Sequence, residues 1–380
     1  MLIRSGITAR AQFFKLLGTI DNPNYKSIVY IAKGPVTGRI YAGCGAAGRD
    51  TLIVVDPTTR TIIGSLTDGT NLSGIDDVTF NADETTAFVS CENGSRGVSS
   101  INITNPASMS IRQTLVTSSP KYLNAASGIC NDSTNKVLLI PTLSRANVAI
   151  VDYSGGDTSL TFAGEYQGDV PGTSLINCRR TAAWPAKKLC FFGTDNAGAS
   201  NVRIGAFDYT TLASPVKVWQ VLAADDPNDY SKQTRGVFVD LDVSGQERLY
   251  SCSGGGTAKT VLSIWDISQM PGTPTPTLLG FHQVTGGPAG NFGTPRSIVL
   301  TKRSGKTFVI LTGESGHMML MLNVTDPTRV SLVGQISDSV ALNQCMGVTM
   351  DNNGNIWTGN FASNGLSTEG LSVWQPFWPD

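Results

Sequence analysis

"FFKLLGTI", residues 13–20, stands near the start of the chain but has the shape of a repeat's last piece. "PTLLGFH" (276–282) and "VSLVGQI" (330–336) repeat that shape deep in the sequence. A chain that opens with a final strand has its first strand and its last blade at opposite ends, and the other repeats must supply what lies between.

Apolar runs that end in Asp, Asn or an equivalent supply it. They end at Asp56, Asn102, Asp152, Asp208, Asp266, Asn323 and Gln375, with steps of 46, 50, 56, 58, 57 and 52 residues. Four-stranded propeller blades run ~40–50 residues, so these steps fit seven blades with generous loops. Each unit reads as an apolar strand A ("KSIVYIA", "DDVTF", "SGIC", "RTAAW", "GVFVDL", "RSIVL", "MGVTM"), then a strand B such as "RIYAGC", then the run into Asp or Asn as strand C. A strand D such as "TIIGSL" closes the unit. Several B and C strands are apolar at successive positions, the pattern of strands covered on both faces. Six D strands appear in order, and the seventh is "FFKLLGTI". The prediction is an all-β, seven-bladed β-propeller of four-stranded antiparallel blades, one domain over 1–380. Its blades fall at about 25–66, 74–115, 125–166, 180–222, 235–282, 296–336 and 345–375, the last completed by 13–20. Ring closure of this kind removes the open sheet ends of a stacked array.

"LMLNVTDPTRVSLVGQI" (320–336) resembles the LVIVD repeat, and "VSSINITNPASMSI" (98–111) does so more loosely. "GRIYAGC…DTLIVVDPTTRTIIGSL" (38–66) resembles the YVTN repeat of seven-bladed propellers. The resemblance implies a β-propeller of a kind often found in proteins that bind or adhere at surfaces. Its motifs mark strands and turns, and they carry no catalytic residue to transfer.

Composition narrows the function classes. Net charge is −1 and charged residues make up 15%, which is no basic footprint for nucleic acid. No apolar run approaches the ~18 residues of a membrane helix. The start, "MLIRSGITARAQFFKLLG", lacks the apolar core of a secretory signal. The expectation is synthesis in a cytoplasm, without membrane insertion, and then residence there or in a particle such as a virion. Seven cysteines without a CxxC pair argue against a disulfide framework or zinc ribbon and for small buried hydrophobes. With two histidines, a His-rich metal site and a Ser-His-Asp triad have almost no material, and neither metal nor cofactor is expected.

In a propeller the A strands lie nearest the axis, and the D–A and B–C connections share one face. The D–A connections here are long, for example "VTSSPKYLNAAS" and "AADDPNDYSKQTR", which makes that face the first candidate for binding. Lys26, Arg180, Arg235 and Arg296 each precede an A strand, while blades 2, 3 and 7 align Gly74, Ser127 and Met346 there. Such a ring of cations reads either as an anion site at the channel mouth or as salt bridges tying blades together. Glu92, Asp195 and Glu314, at the ends of B strands, are the candidate partners for the second reading.

Other candidates read as structure. Asp76 and Asp77 are adjacent in a strand, and alternation sends them to opposite faces. Asp240 and Asp242 lie by the turn "DVSGQ", and "DNNGN" (351–355) lacks the closing Glu of a calcium loop. "SGGGTAKT" (253–260) misses the phosphate-loop glycines at Ser253 and Ala258, and His317 near Glu314 and Ser315 has no nucleophile elbow. The leading expectation is a non-enzymatic platform that engages a protein or surface glycan, as part of a larger assembly such as a phage virion. The alternative is a lyase- or lactonase-like enzyme whose cationic mouth holds a carboxylate.

Overall fold

In six of the seven repeats the C strand ends on a side chain that starts the next turn. Oδ1 of Asp56, Asn102, Asp152, Asp208, Asp266 and Asn323 accepts the backbone N–H two residues on, at 2.6–3.2 Å. These are Asx-turns, in which the side chain stands in for a backbone carbonyl. Gln375, the seventh member of the series, sits in a strand that continues to Pro376, because no D strand follows it.

The computed structural model describes residues 13–20, 25, 27–44, 50–93, 96–116, 123–143, 146–168, 175, 177–195, 202–226, 228–254, 259–272, 275–284, 292, 295–314, 317–361 and 370–379. They form seven four-stranded antiparallel sheets. Six run in chain order, over residues 28–67, 75–116, 130–166, 178–222, 234–284 and 295–337. The seventh takes its inner three strands from 345–376 and its outer strand, Phe14–Ile20, from the start of the chain. The innermost strands touch one another in cyclic order, and blade 7 returns to blade 1. The predicted ring is the observed one. The inner strand of blade 3 is shorter than "SGIC" implied: its ladder covers Cys130–Asp132, with an isolated bridge from Ala126 to Thr142.

The core lies between blades. Tyr41, Leu52 and Val54 of blade 1 pack on Val78, Ala87 and Val89 of blade 2, and the same arrangement recurs around the ring. The B and C strands are therefore buried on both faces, as in Val137–Thr142, while outer strands such as Thr61–Thr67 are mostly half-buried or exposed. Of the seven cysteines, all free, six are buried and Cys130 is half-buried.

The shape shared by "FFKLLGTI", "PTLLGFH" and "VSLVGQI" has a geometric cause. Every D strand carries a β-bulge at the same register, leaving Leu17, Ile63, Arg112, Ala163, Val218, Leu279 and Val333 unpaired. The residue after the bulge is Gly in five blades, and in three of them the next blade's C–D connection comes close. A Cβ on Gly64, Gly164 or Gly280 would lie 1.9, 2.0 or 2.1 Å from the carbonyl oxygen of Pro106, Leu212 or Pro327. At Gly334 the neighbour is Phe13, whose Cγ would be 2.4 Å away. Blade 7 has no C–D connection, so the residue leading into its borrowed strand fills that place.

The borrowed strand is tied by backbone and side chain. Its ladder pairs Phe14 with Pro376, Leu16 with Trp374 and Ile20 with Leu371, and the Phe377 N–H donates to Phe13 O at 2.8 Å. Phe14 and Trp374, each 1% exposed, join Phe308, Ile310 and Met319 of blade 6 in one cluster. Phe14→Ala is expected to cost about 3–5 kcal/mol through the cavity it leaves. Gly280→Ala is expected to cost about 1–3 kcal/mol by pushing blade 6 away. Urea unfolding followed by circular dichroism checks both, and a Gly280→Ala chain as stable as wild type would contradict the close approach.

Candidate functional site on the propeller axis

The innermost strands also bulge, at the end where they enter from the D–A connections. The ladder skips one residue in six blades: Val29, Asp76, Arg179, Arg235, Arg296 and Met346. In blade 3 the corresponding residue is Ser127, whose N–H donates to Pro141 O at 3.0 Å. A bulge re-aims side chains next to a site and interrupts the two-residue alternation. It also shifts the alignment read from the sequence. Arg235, Arg296, Ser127 and Met346 stand where they were expected. Blade 4 presents Arg179 with Arg180 one residue beyond, and blade 2 presents Asp76 rather than Gly74. In blade 1 the equivalent residue is Val29, and Lys26 lies outside the described residues.

The arginines meet carboxylates. Arg296 grips Glu314 with two parallel bonds, Nε to Oε2 at 2.7 Å and Nη2 to Oε1 at 2.8 Å. Arg235 reaches Glu314 Oε2 at 2.5 Å and Asp195 Oδ2 at 2.7 Å, and Arg179 Nε lies 3.6 Å from that same Asp195 oxygen. The chain Arg179–Asp195–Arg235–Glu314–Arg296 thus runs across blades 4, 5 and 6. Asp195 and Glu314 are the partners anticipated for the salt-bridge reading. Glu92 has no ion pair among the described residues; burial, and then the charge of Asp76, push its carboxyl above the usual range.

Arg180 crosses the axis. Its Nη1 donates to Asp76 Oδ2 at 3.0 Å, and its Nε lies 3.9 Å from Asp77 Oδ2, both on blade 2. Its guanidinium lies 3.5 Å from the ring centre of Tyr30 on blade 1, a cation–π contact out of water. The Tyr30 hydroxyl donates to Arg296 O on blade 6 at 2.8 Å. One guanidinium and one phenol therefore link blades 1, 2, 4 and 6 and fill the centre of the ring. The expectation that Asp76 and Asp77 face opposite ways is overturned: the bulge at Asp76 turns both toward Arg180. Burial outweighs the attraction of Arg180 and raises the Asp77 carboxyl to about 6.

Below this stack lies a cavity of about 380 Å³, lined by Tyr30, Asp77, Arg180, Val237, Phe238 and Ile298 among others. It shares Lys33, Val299 and Thr349 with a wider groove of about 660 Å³ against the turn Asp351–Gly354, on the face opposite the D–A connections.

The other described candidates are held by turns and ion pairs. Asp242 accepts the N–H groups of Ser244 and Gln246 and pairs with Arg248, while Asp240 pairs with Lys302. Asp351 of "DNNGN" accepts from Asn353 N, Asn355 N, Asn355 Nδ2 and Trp357 Nε1, so its oxygens are held by the turn. His317 Nδ1 accepts the Gln344 N–H at 3.4 Å. Residues 255–258 of "SGGGTAKT" and Ser315 lie outside the described residues. No group of three or more His, Cys, Asp or Glu suited to a metal occurs among the described residues. No helix among them is long and apolar enough to cross a membrane.

No protein-family model matches the chain, and no curated protein matches it significantly. Solved structures match its fold. Hydrazine synthase of Kuenenia stuttgartiensis superposes with a TM-score of 0.64 at 13% identity, over 96% of this chain and 100% of that one. The Cps50 (Swd1) β-propeller domain of Myceliophteria thermophila gives 0.64 at 11%, over 96% and 100%. Virginiamycin B lyase of Staphylococcus aureus gives 0.64 at 12%, again over 96% and 100%. Identities this low establish the propeller alone.

Removing Arg180 strands two buried carboxylates, so Arg180→Met is expected to lose about 3–5 kcal/mol. Arg235→Ala and Arg296→Ala are expected to lose stability as well, with no dependence on added acetate or sulfate; melts with and without these anions check this. The Asp77 pKa is higher in the folded than in the unfolded chain, so the folded state holds the proton more tightly. Its stabilising contribution is complete below the unfolded value of 3.8 and is lost as pH rises through about 6. Stability is expected to fall by on the order of 1–3 kcal/mol from this source between pH 4 and 7. Asp77→Asn should remove that slope in urea titrations across the range.

Proposed function

We propose that the chain is a non-catalytic platform that holds a protein partner or surface glycan on the face bearing its D–A connections, as part of a larger assembly such as a virion. The observation that supports this is the filled axis: every arginine there is matched to a carboxylate, and Tyr30 and Arg180 stack across the centre. A cationic mouth free to take an incoming carboxylate is what the enzyme alternative needs. Here Arg179, Arg180, Arg235 and Arg296 meet Asp76, Asp77, Asp195 and Glu314, with Glu92 adjacent.

The loop face is also built to keep its shape. Asp68 accepts the N–H groups of Thr70 and Asn71, and Asp338 those of Val340 and Ala341. Asp226, 5% exposed, accepts from Tyr230 N and Ser231 N and pairs with Arg203 at 2.8 Å. Leu72, Leu123, Leu175, Phe292 and Leu342, one in each of five D–A connections, are at most 1% exposed and staple those connections to the ring. Loop positions held in this way add little ordering cost on binding.

Cross-linking and electron microscopy of the chain in its native producer test the proposal. The expected result is an ordered array on a particle, with cross-links from Lys232 on the loop face and an interface of ~1,200–2,000 Å². Glycan capture abolished by replacing residues 223–233 would place the partner among sugars instead. A free monomer, or lactone turnover that Asp77→Asn abolishes, would overturn the platform reading.

A further inference from the structure

The cavity below the Tyr30–Arg180 stack joins the groove on the face opposite the D–A connections through Lys33, Val299 and Thr349, so what it holds is independent of the platform reading. Its wall is mostly apolar, with Tyr30, Val237, Phe238, Ile298 and Val348 around it. At about 380 Å³ it falls within the range of small-molecule sites. Two of its hydroxyls are engaged: Thr181 Oγ1 donates to Leu139 O at 3.0 Å, and Ser297 Oγ accepts the Val348 N–H at 3.2 Å.

Asp77 is different. Its Oδ1 accepts the Val78 N–H at 2.8 Å. Among the described residues, its Oδ2 has only a long amide contact, 3.4 Å from Ile129 N, and the guanidinium at 3.9 Å. A carboxylate oxygen accepts two good bonds, so Oδ2 is short of a close donor. Among the described residues the charged lining is Lys33, Arg180, Arg296 and Asp77, and Asp76 and Glu314, paired with Arg180 and Arg296 from behind it, bring the formal charge to balance. A charged ligand gains nothing net from such a wall and loses its hydration.

We infer that this axial cavity binds a small uncharged molecule with an apolar body and a hydroxyl group, the hydroxyl donating to Asp77 Oδ2 and the body lying against Val237, Phe238 and Ile298. The site opens on the face opposite the loops, so occupancy and partner binding can occur together.

Three probes with one body and different heads test this on the full chain: 4-propylphenol, 4-propylbenzoate and 4-propylbenzylamine, followed by saturation-transfer NMR and calorimetry. The phenol is expected to bind saturably and at least about tenfold more tightly than either ion, the size of a charged-acceptor hydrogen bond without a desolvated charge. Asp77→Asn is expected to weaken the phenol about fivefold or more. Val237→Phe in the wall, or Thr349→Phe at the mouth if the first variant melts early, is expected to abolish binding without touching the ion pairs. Failure of the phenol to saturate, equal or tighter binding of either ion, or phenol binding undiminished in the filled variants would overturn the inference.

Discussion

Seven sheets packed side by side make a ring only if the last is sealed to the first. Here the seal is the antiparallel ladder between Phe14–Ile20 and Leu371–Pro376, which joins the two ends of the chain inside one blade. Without it, blade 7 would present Leu371–Pro376 as an unpaired edge, and the buried faces of Phe14 and Trp374 would meet water. Each blade covers its neighbour, so an opening at one seam exposes apolar surface on both sides of the seam. The cost of fraying is therefore high, and the closing pair is among the most non-local in the fold, so joining it carries a large loop-closure entropy.

This architecture was legible because its turns and its close approaches leave marks in the sequence. Asp or Asn ends a C strand because its side chain makes the turn, and Gln375 breaks the series where no turn follows. At Gly64, Gly164 and Gly280 glycine follows the bulge where the next blade's carbonyl leaves no room for a Cβ. Both marks act at short range, so they survive blade steps that vary in length. The short inner strand of blade 3 was less visible, since the apolar run "SGIC" does not say how much of it enters a ladder.

The axis was legible in composition and illegible in register. Arg235 and Arg296, with Asp195 and Glu314, were identified as candidates from position alone, and they do meet. The reach of Arg180 across the ring to Asp76, Asp77 and Tyr30 was hidden for a physical reason. A strand read with a period of two places adjacent side chains on opposite faces, and one extra residue reverses that placement. The bulge itself has no residue signature in these strands: Val, Asp, Ser, Arg and Met all occupy it. An alignment counted from the first apolar residue consequently slips by one in blade 4, by two in blade 2 and by three in blade 1.

A buried network of this kind is weak evidence for stability, because desolvating four guanidinium groups and their carboxylates opposes the attraction between them. Its directional bonds do something apolar packing cannot. Each arginine has partners on a particular blade, so the network sets which blades face one another across the axis and at what height. It also divides the ring's interior. Above the stack, the axis is occupied by ion pairs and the surface belongs to stapled loops. Below it, the cavity wall turns apolar, and Asp77 is its one carboxylate among the described residues. The same bulge that brings Asp76 and Asp77 to Arg180 thereby leaves the two ends of the axis chemically different.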